Sequence, residues 1–128
     1  IASWRGRSDT FWQMPPSILI VDDHRAFRRA ARALLRAAGF EVVGEAHDAE
    51  SGLSAATELA PEIVLVDVRL PDRDGFALTT DLLASTGVRL GLTSSSDAPC
   101  YPAQAEACGA LGFIAKHDLC GEELRRLL

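Results

Sequence analysis

Two short stretches of the chain are apolar at every position, and each stops on an acid. Ile18 to Val21 reads ILIV and runs into Asp22 and Asp23; Ile63 to Val66 reads IVLV and runs into Asp67. A four-residue run has no polar face to show to water. As a strand it must be covered on both sides, which is the condition of a parallel sheet sandwiched between helices.

The intervening sequence supplies those helices. From Arg25 to Ala38, Phe27, Ala31, Leu34, Leu35 and Ala38 share one face, and Arg25, Arg28, Arg29, Arg32 and Arg36 share the other. Gly39 is a natural stop for that helix. A short strand is predicted at Glu41 to Val43. Asp48 can cap a helix over Ala49 to Ala60, which Pro61 ends. After the second apolar run, Pro71, Asp72, Asp74 and Gly75 form a loop, and a helix follows from Phe76 to Ser85. Val88 to Leu92 is a strand leading into Thr93 and three serines. A short helix is expected near Pro102 to Cys108, a strand at Leu111 to Ala115 ending on Lys116, and a last helix at Glu122 to Leu128. Five strands alternate with five helices, so the expected class is an α/β, doubly wound, five-stranded parallel sheet with right-handed crossovers.

In such sheets ligands sit beyond the carboxyl ends of the strands. Those ends carry Asp22 and Asp23, Asp67, Thr93 and Lys116, from four different strands. Lys116 is the only lysine among 13 basic residues. Singly, each residue has a structural reading: Asp22 or Asp23 as a helix cap, Asp67 as a turn cap, Thr93 as loop, Lys116 as a surface lysine. Their convergence on one edge favours a site. Clustered carboxylates repel one another and call for a cation or protons. All-oxygen ligands suit a hard ion, Mg²⁺ first. A carboxylate next to a metal ion, an ammonium and a hydroxyl can attack a phosphoryl group and become an aspartyl phosphate.

Composition sets the outer bounds. The chain has 128 residues, a net charge of −5, 48% hydrophobic and 24% charged residues, as in one ordinary globular domain. The acidic balance argues against nucleic acid as a partner. No apolar window is long enough for a membrane span. Cys100, Cys108 and Cys120 lack metal-ligand spacing and fit reduced thiols in a cytoplasmic protein. Residues 1–13 form an extension without periodicity, read either as an ordered arm or as non-native sequence ahead of a start at Met14; residues 14–128 form the domain.

The motifs ILIVDDH, IVLVDVRLPDRDGF, LTSS and GALGFIAK together resemble the receiver domain of bacterial two-component response regulators, and the KHDL that includes Lys116 resembles the NarL/LuxR-like branch. The resemblance implies a flavodoxin-like (βα)5 fold with strand order 2-1-3-4-5. It implies that Asp67 accepts a phosphoryl group from a histidine kinase or phosphotransfer protein. Asp23 and Asp67 would hold Mg²⁺, with Asp22 acting partly through water and the main-chain carbonyl of Arg69 completing the protein ligands. Thr93 and Lys116 would hold the phosphoryl oxygens, and Phe113 would be the aromatic that changes rotamer on activation. A homodimer is among the assemblies it admits.

The chain departs from the common pattern in places. His117 stands where many receivers have proline, and Pro99 and Pro102 predict a short or displaced fourth helix. Ser94 is the rival of Thr93 if the register slips. His24 abuts the acid pair and is read as an ordinary polar neighbour; His47 and His117 are read as loop residues. The arginine stripe of the first helix is a solvated face or a docking surface for an acidic partner. Asp72, Asp74 and Gly75 look like part of a calcium loop, but Leu70 and Asp81 would fall at ligand positions, so an EF-hand fails. Two other functions compete: a Mg²⁺-dependent phosphatase with an aspartyl intermediate, and a degenerate receiver serving only as an interaction module. Arg69, at the position where such phosphatases place a second acid, argues against the first. The intact acid set argues against the second. With no DNA-binding segment after Leu128, a stand-alone receiver and a piece of a longer regulator both remain open.

Overall fold

A computed structural model describes residues 15–128. The arm over residues 1–13 and the boundary at Met14 lie outside the described residues. Strands β1 (Ser17–Val21), β2 (Glu41–Ala46), β3 (Ile63–Asp67), β4 (Arg89–Ser94) and β5 (Gly112–Ala115) alternate with helices α1 (Arg25–Ala37), α2 (Ala49–Leu59), α3 (Gly75–Ser85), α4 (Tyr101–Ala107) and α5 (Gly121–Leu127). All strand pairs are parallel and the sheet order is β2-β1-β3-β4-β5, the flavodoxin-like order 2-1-3-4-5.

The two apolar runs are buried on both faces. Leu19, Val21, Val64 and Val66 point into one core layer with Leu78 and Leu82 of α3 and Ala105 of α4. Ile18, Ile20, Ile63 and Leu65 point into the opposite layer with Ala31 and Leu35 of α1 and Leu124 of α5. Alternate side chains thus serve two cores. Each fully buried Ile, Leu or Val contributes about 1.5–3 kcal/mol by leaving water.

Several boundaries differ from the sequence expectation. β2 continues to Ala46 because Leu19, Ile20 and Val21 pair with Gly44, Glu45 and Ala46 past a register shift. Leu34 is exposed and only Ala31 and Leu35 of the expected α1 face are fully buried, because the sheet covers a narrower stripe. Thr93 and Ser94 belong to β4 rather than to the loop after it. The helix N-cap after β1 is His24, without a side-chain cap bond, so neither Asp22 nor Asp23 caps α1. Asp48 caps α2 as expected, accepting from Ser51 N at 2.8 Å. α4 is short, at seven residues, with Pro102 in its first turn. Among the described residues no helix is long and apolar enough to cross a membrane.

Candidate functional site

Asp22 follows β1, Asp67 ends β3, Thr93 lies in β4 and Lys116 follows β5, so the parallel sheet delivers all four to its carboxyl edge. Asp67 and Thr93 are register partners on adjacent strands. Asp22 and Asp67 are 1% and 2% exposed, whereas Asp23 and His24 are exposed at the mouth. Lys116 Nζ lies 2.8 Å from Asp22 Oδ2 and 3.5 Å from Asp67 Oδ2. Phe27 supports that ammonium, with its ring centroid 4.4 Å from Nζ.

Burial raises the pKa of Asp67 above the ordinary carboxylate value, and the negative charge of Asp22 raises it further; Lys116 and the Arg69 amide pull the other way. One ammonium thus faces two buried carboxylates, and the site is short of positive charge. Two buried oxygens have no hydrogen-bond partner among the described residues, Asp22 Oδ2 and Thr93 Oγ1. The first still touches Lys116 as an ion pair; the second has nothing. Ser94, the rival hydroxyl, is already engaged by Ser96 N at 3.0 Å. A free buried hydroxyl costs stability unless a ligand uses it.

The loop after β3 is held tightly. Arg69 N donates to Asp67 Oδ1 at 3.3 Å, and Gly75 N donates to the carbonyl of Val68 at 2.7 Å. A Cβ on Gly75 would collide with the main-chain carbonyl of Asp67, so this close approach requires glycine. Asp74 caps α3 through Phe76 N at 2.6 Å. Asp72 reaches back to α2 and accepts from Ala49 N at 2.8 Å and Glu50 N at 3.0 Å. Its carboxylate serves a helix N-terminus, which explains the acids that looked like part of a calcium loop.

The residues matched are those of a known family: its model, response regulator receiver domain, matches residues 18–125. The chain belongs to the response regulator receiver domain family. This receiver is 35% identical over 103 residues to the transcription regulator BvgA of Bordetella pertussis, covering 79% of this chain and 49% of BvgA. It is 34% identical over 101 residues to the response regulator GacA of Pseudomonas aeruginosa, covering 77% of this chain and 47% of GacA. The receiver therefore spans about half the length of these relatives. Among solved structures, the signal receiver domain of NarL from Mycobacterium tuberculosis superposes with a TM-score of 0.77 at 29% identity, over 88% of this chain and 96% of that one.

The structure brings in residues that sequence reasoning underweighted. His24 lies at the mouth of the acid cluster, with Nδ1 3.2 Å from Asp22 Oδ1 and 3.2 Å from Asp23 Oδ1. Arg28 Nη1 donates to the main-chain carbonyl of Asp22 at 2.6 Å. Its Nε donates to Glu45 Oε1 at 3.0 Å, while Arg32 Nε donates to Glu45 Oε2 at 2.6 Å. Part of the arginine stripe is thus committed to the site's support rather than to solvent. Tyr101 of α4 is buried between Phe76 and Phe113, with ring centroids 5.8 and 5.4 Å apart. The position of His24 beside the acid pair was a visible signal; the pairing of Arg28 with β2 was not.

Proposed function

We propose that this domain is a phosphoacceptor switch that takes a phosphoryl group from a histidine kinase or phosphotransfer protein onto Asp67. The observation that carries the reading is Thr93, whose buried hydroxyl has no partner and which is in register with Asp67. Asp67 in turn sits within reach of Lys116.

In the transfer, a carboxylate oxygen of Asp67 attacks phosphorus in line. The new O–P bond forms as the donor's P–N bond breaks, and the electron pair leaves on the imidazole nitrogen. Lys116 and Thr93 hold phosphoryl oxygens, the ammonium by charge and the hydroxyl by donating its proton in a hydrogen bond. The oxygen-rich donor set fits Mg²⁺: Asp23 and Asp67, Asp22 in part through water, and the main-chain carbonyl of Arg69 would be its protein ligands. When bound, Mg²⁺ supplies charge neutralisation at the phosphoryl oxygens. The shortage of positive charge around Asp22 and Asp67 supports that fit.

Phosphorylation gives the Thr93 hydroxyl a partner. Movement of Thr93 towards it opens space beside Phe113, whose ring packs on Tyr101 and so on α4. The output is a two-state repacking of this aromatic contact. The domain serves regulation rather than turnover of external substrates, since Arg69 replaces the second acid that a phosphatase of this kind uses. As in a regulator acting through proteins, we assign it a cytoplasmic place and contacts with a histidine kinase or phosphotransfer protein, with no nucleic-acid contact by this domain.

The test is intact-mass measurement after acetyl phosphate treatment, with Mg²⁺ and with excess chelator. One phosphoryl adduct that requires Mg²⁺ and is absent from Asp67→Asn is expected. An undiminished adduct on the Asn variant overturns the assignment.

A further inference from the structure

We propose that Asp72 is a positioning residue for the phosphoacceptor site: by gripping the N-terminus of α2 it fixes the β3–α3 loop, and with it the Arg69 carbonyl, where Mg²⁺ needs it. The inference rests on the Mg²⁺ reading above and adds to it a residue that touches neither the metal nor the phosphoryl group.

The loop has a firm base and an outlying tip. At the base, Arg69 and Asp74 face each other as an isolated antiparallel bridge, and Gly75 N donates to the Val68 carbonyl at 2.7 Å. Arg69 N is fixed on Asp67 Oδ1 at 3.3 Å. The Arg69 carbonyl points out of this base and accepts no main-chain hydrogen bond among the described residues. Its aim therefore follows from where the tip is held. Pro71, Asp72 and Arg73 at that tip are all exposed, so no core packing holds them.

Asp72 supplies the hold. Its Oδ1 accepts from Ala49 N at 2.8 Å and its Oδ2 from Glu50 N at 3.0 Å. Two charge-assisted bonds to the two oxygens of one carboxylate fix its plane as well as its position. The other tether of the tip, Arg73 to Asp81 on α3 at 2.7 Å, joins two exposed side chains and holds it only weakly. α2 is a firm anchor: Ala49 is buried, and Gly52 lies so close to Val21 that a Cβ would meet its side chain at 2.9 Å. Val21 leads directly into Asp22 and Asp23. Through α2, Asp72 thus ties the loop to the same frame that carries the acid pair. Mg²⁺ demands near-ideal octahedral geometry, so a ligand held off its place costs affinity.

The helix does not need this acid. Asp48 already caps α2, accepting from Ser51 N at 2.8 Å and completing a capping box with the Ser51 side chain. The negative charge of Asp72 acts against that of Asp48. Water can serve the Ala49 and Glu50 amides at an open helix end. What the two bonds add is therefore the place of the loop.

The test compares the full chain as wild type, Asp72→Ala, Asp72→Asn and Asp48→Ala, at one pH and well below every melting temperature. Mg²⁺ affinity is read by calorimetric titration, and amide hydrogen exchange is read on the metal-free chain. Asp72→Ala is expected to bind Mg²⁺ about tenfold more weakly, the lower end of what outer partners of a metal site contribute, and to exchange faster at the Arg69 and Gly75 amides. Asp72→Asn keeps one carbonyl oxygen for one amide and should fall between. Asp48→Ala removes the helix's own cap but not the loop's hold, so it should lower the melting temperature with Mg²⁺ affinity close to wild type. Wild-type Mg²⁺ affinity in Asp72→Ala, or unchanged exchange at Arg69 and Gly75, overturns the inference and leaves the phosphoacceptor reading intact. Equal weakening in Asp48→Ala also overturns it, since the loss then follows from the helix. A wild type that binds no Mg²⁺ overturns both readings.

Discussion

Arg28 Nη1 donates to the main-chain carbonyl of Asp22 at 2.6 Å while its Nε holds Glu45, so one guanidinium ties the start of α1 and strand β2 to the acid loop. The bond leaves the Asp22 carboxylate free for Lys116 and His24. Arg28→Ala should weaken Mg²⁺ binding through loss of this positioning and cost about 1.5–3 kcal/mol, as for a hydrogen bond to a charged group. Arg28→Lys should restore stability in part but not the two-ended contact, because an ammonium lacks the planar fork. Titration of Mg²⁺ and thermal melts of both variants check this; equal Mg²⁺ affinity in all three proteins contradicts it.

Glu45 gives a pH signature. Its burial raises its pKa, but hydrogen bonds and charge from Arg32 and Arg28 outweigh that and hold it below the ordinary carboxylate value. A depressed folded pKa means stability that is present above the unfolded value and lost as pH falls through the folded value. Melting temperatures of wild type and Glu45→Gln should therefore differ at neutral pH and converge on acidification below the ordinary glutamate range. A difference that persists unchanged well below that range refutes the role.

Gly75 underlies Asp67. Since a Cβ there meets the Asp67 carbonyl, Gly75→Ala must push the β3–α3 loop away from the site. Overpacking of this kind costs about 1–3 kcal/mol. Both thermal stability and the acetyl-phosphate adduct should fall, whereas Gly87→Ala, with open space around its Cβ, should change neither. A Gly75→Ala protein with wild-type melting and labelling would refute the close approach.

Tyr101 of α4 packs on Phe113, the aromatic of the proposed switch. Tyr101→Ala removes a buried ring that packs on both Phe76 and Phe113 and should cost about 3–5 kcal/mol. Tyr101→Phe keeps the ring and should keep the stability. Labelling of Asp67 should survive in the Phe variant, with aromatic resonances of Phe113 shifting on phosphorylation. Phe113 signals that stay put on phosphorylation would separate this contact from the switch.

Much of this architecture was legible from residue pattern, for stated reasons. ILIV and IVLV could only be strands covered on both faces, and their terminal acids had to meet at one sheet edge. Strand ends were less legible: Thr93 and Ser94 belong to β4 because they pair with Ile114 and Ala115 of β5, a tertiary fact that a polar stretch hides. His24 stood in plain view after the acid pair, but which way its ring faces depends on the backbone turn that opens α1. Arg28 looked like one more exposed arginine. Its partner Glu45 lies on a different strand, and nothing in the local spacing announces that pair. Asp72 likewise caps a helix that precedes it by 22 residues or more, beyond the reach of local capping rules.

The most direct test of the central claim is the location of the phosphoryl group. The phosphorylated chain is reduced with borohydride, which converts an aspartyl phosphate to homoserine, and the peptides are sequenced by tandem mass spectrometry. The account predicts homoserine at position 67 and at no other aspartate, with none when Mg²⁺ is withheld. Homoserine at position 22 or 23, or a phosphoryl group that survives reduction on another residue while position 67 remains aspartate, would contradict it.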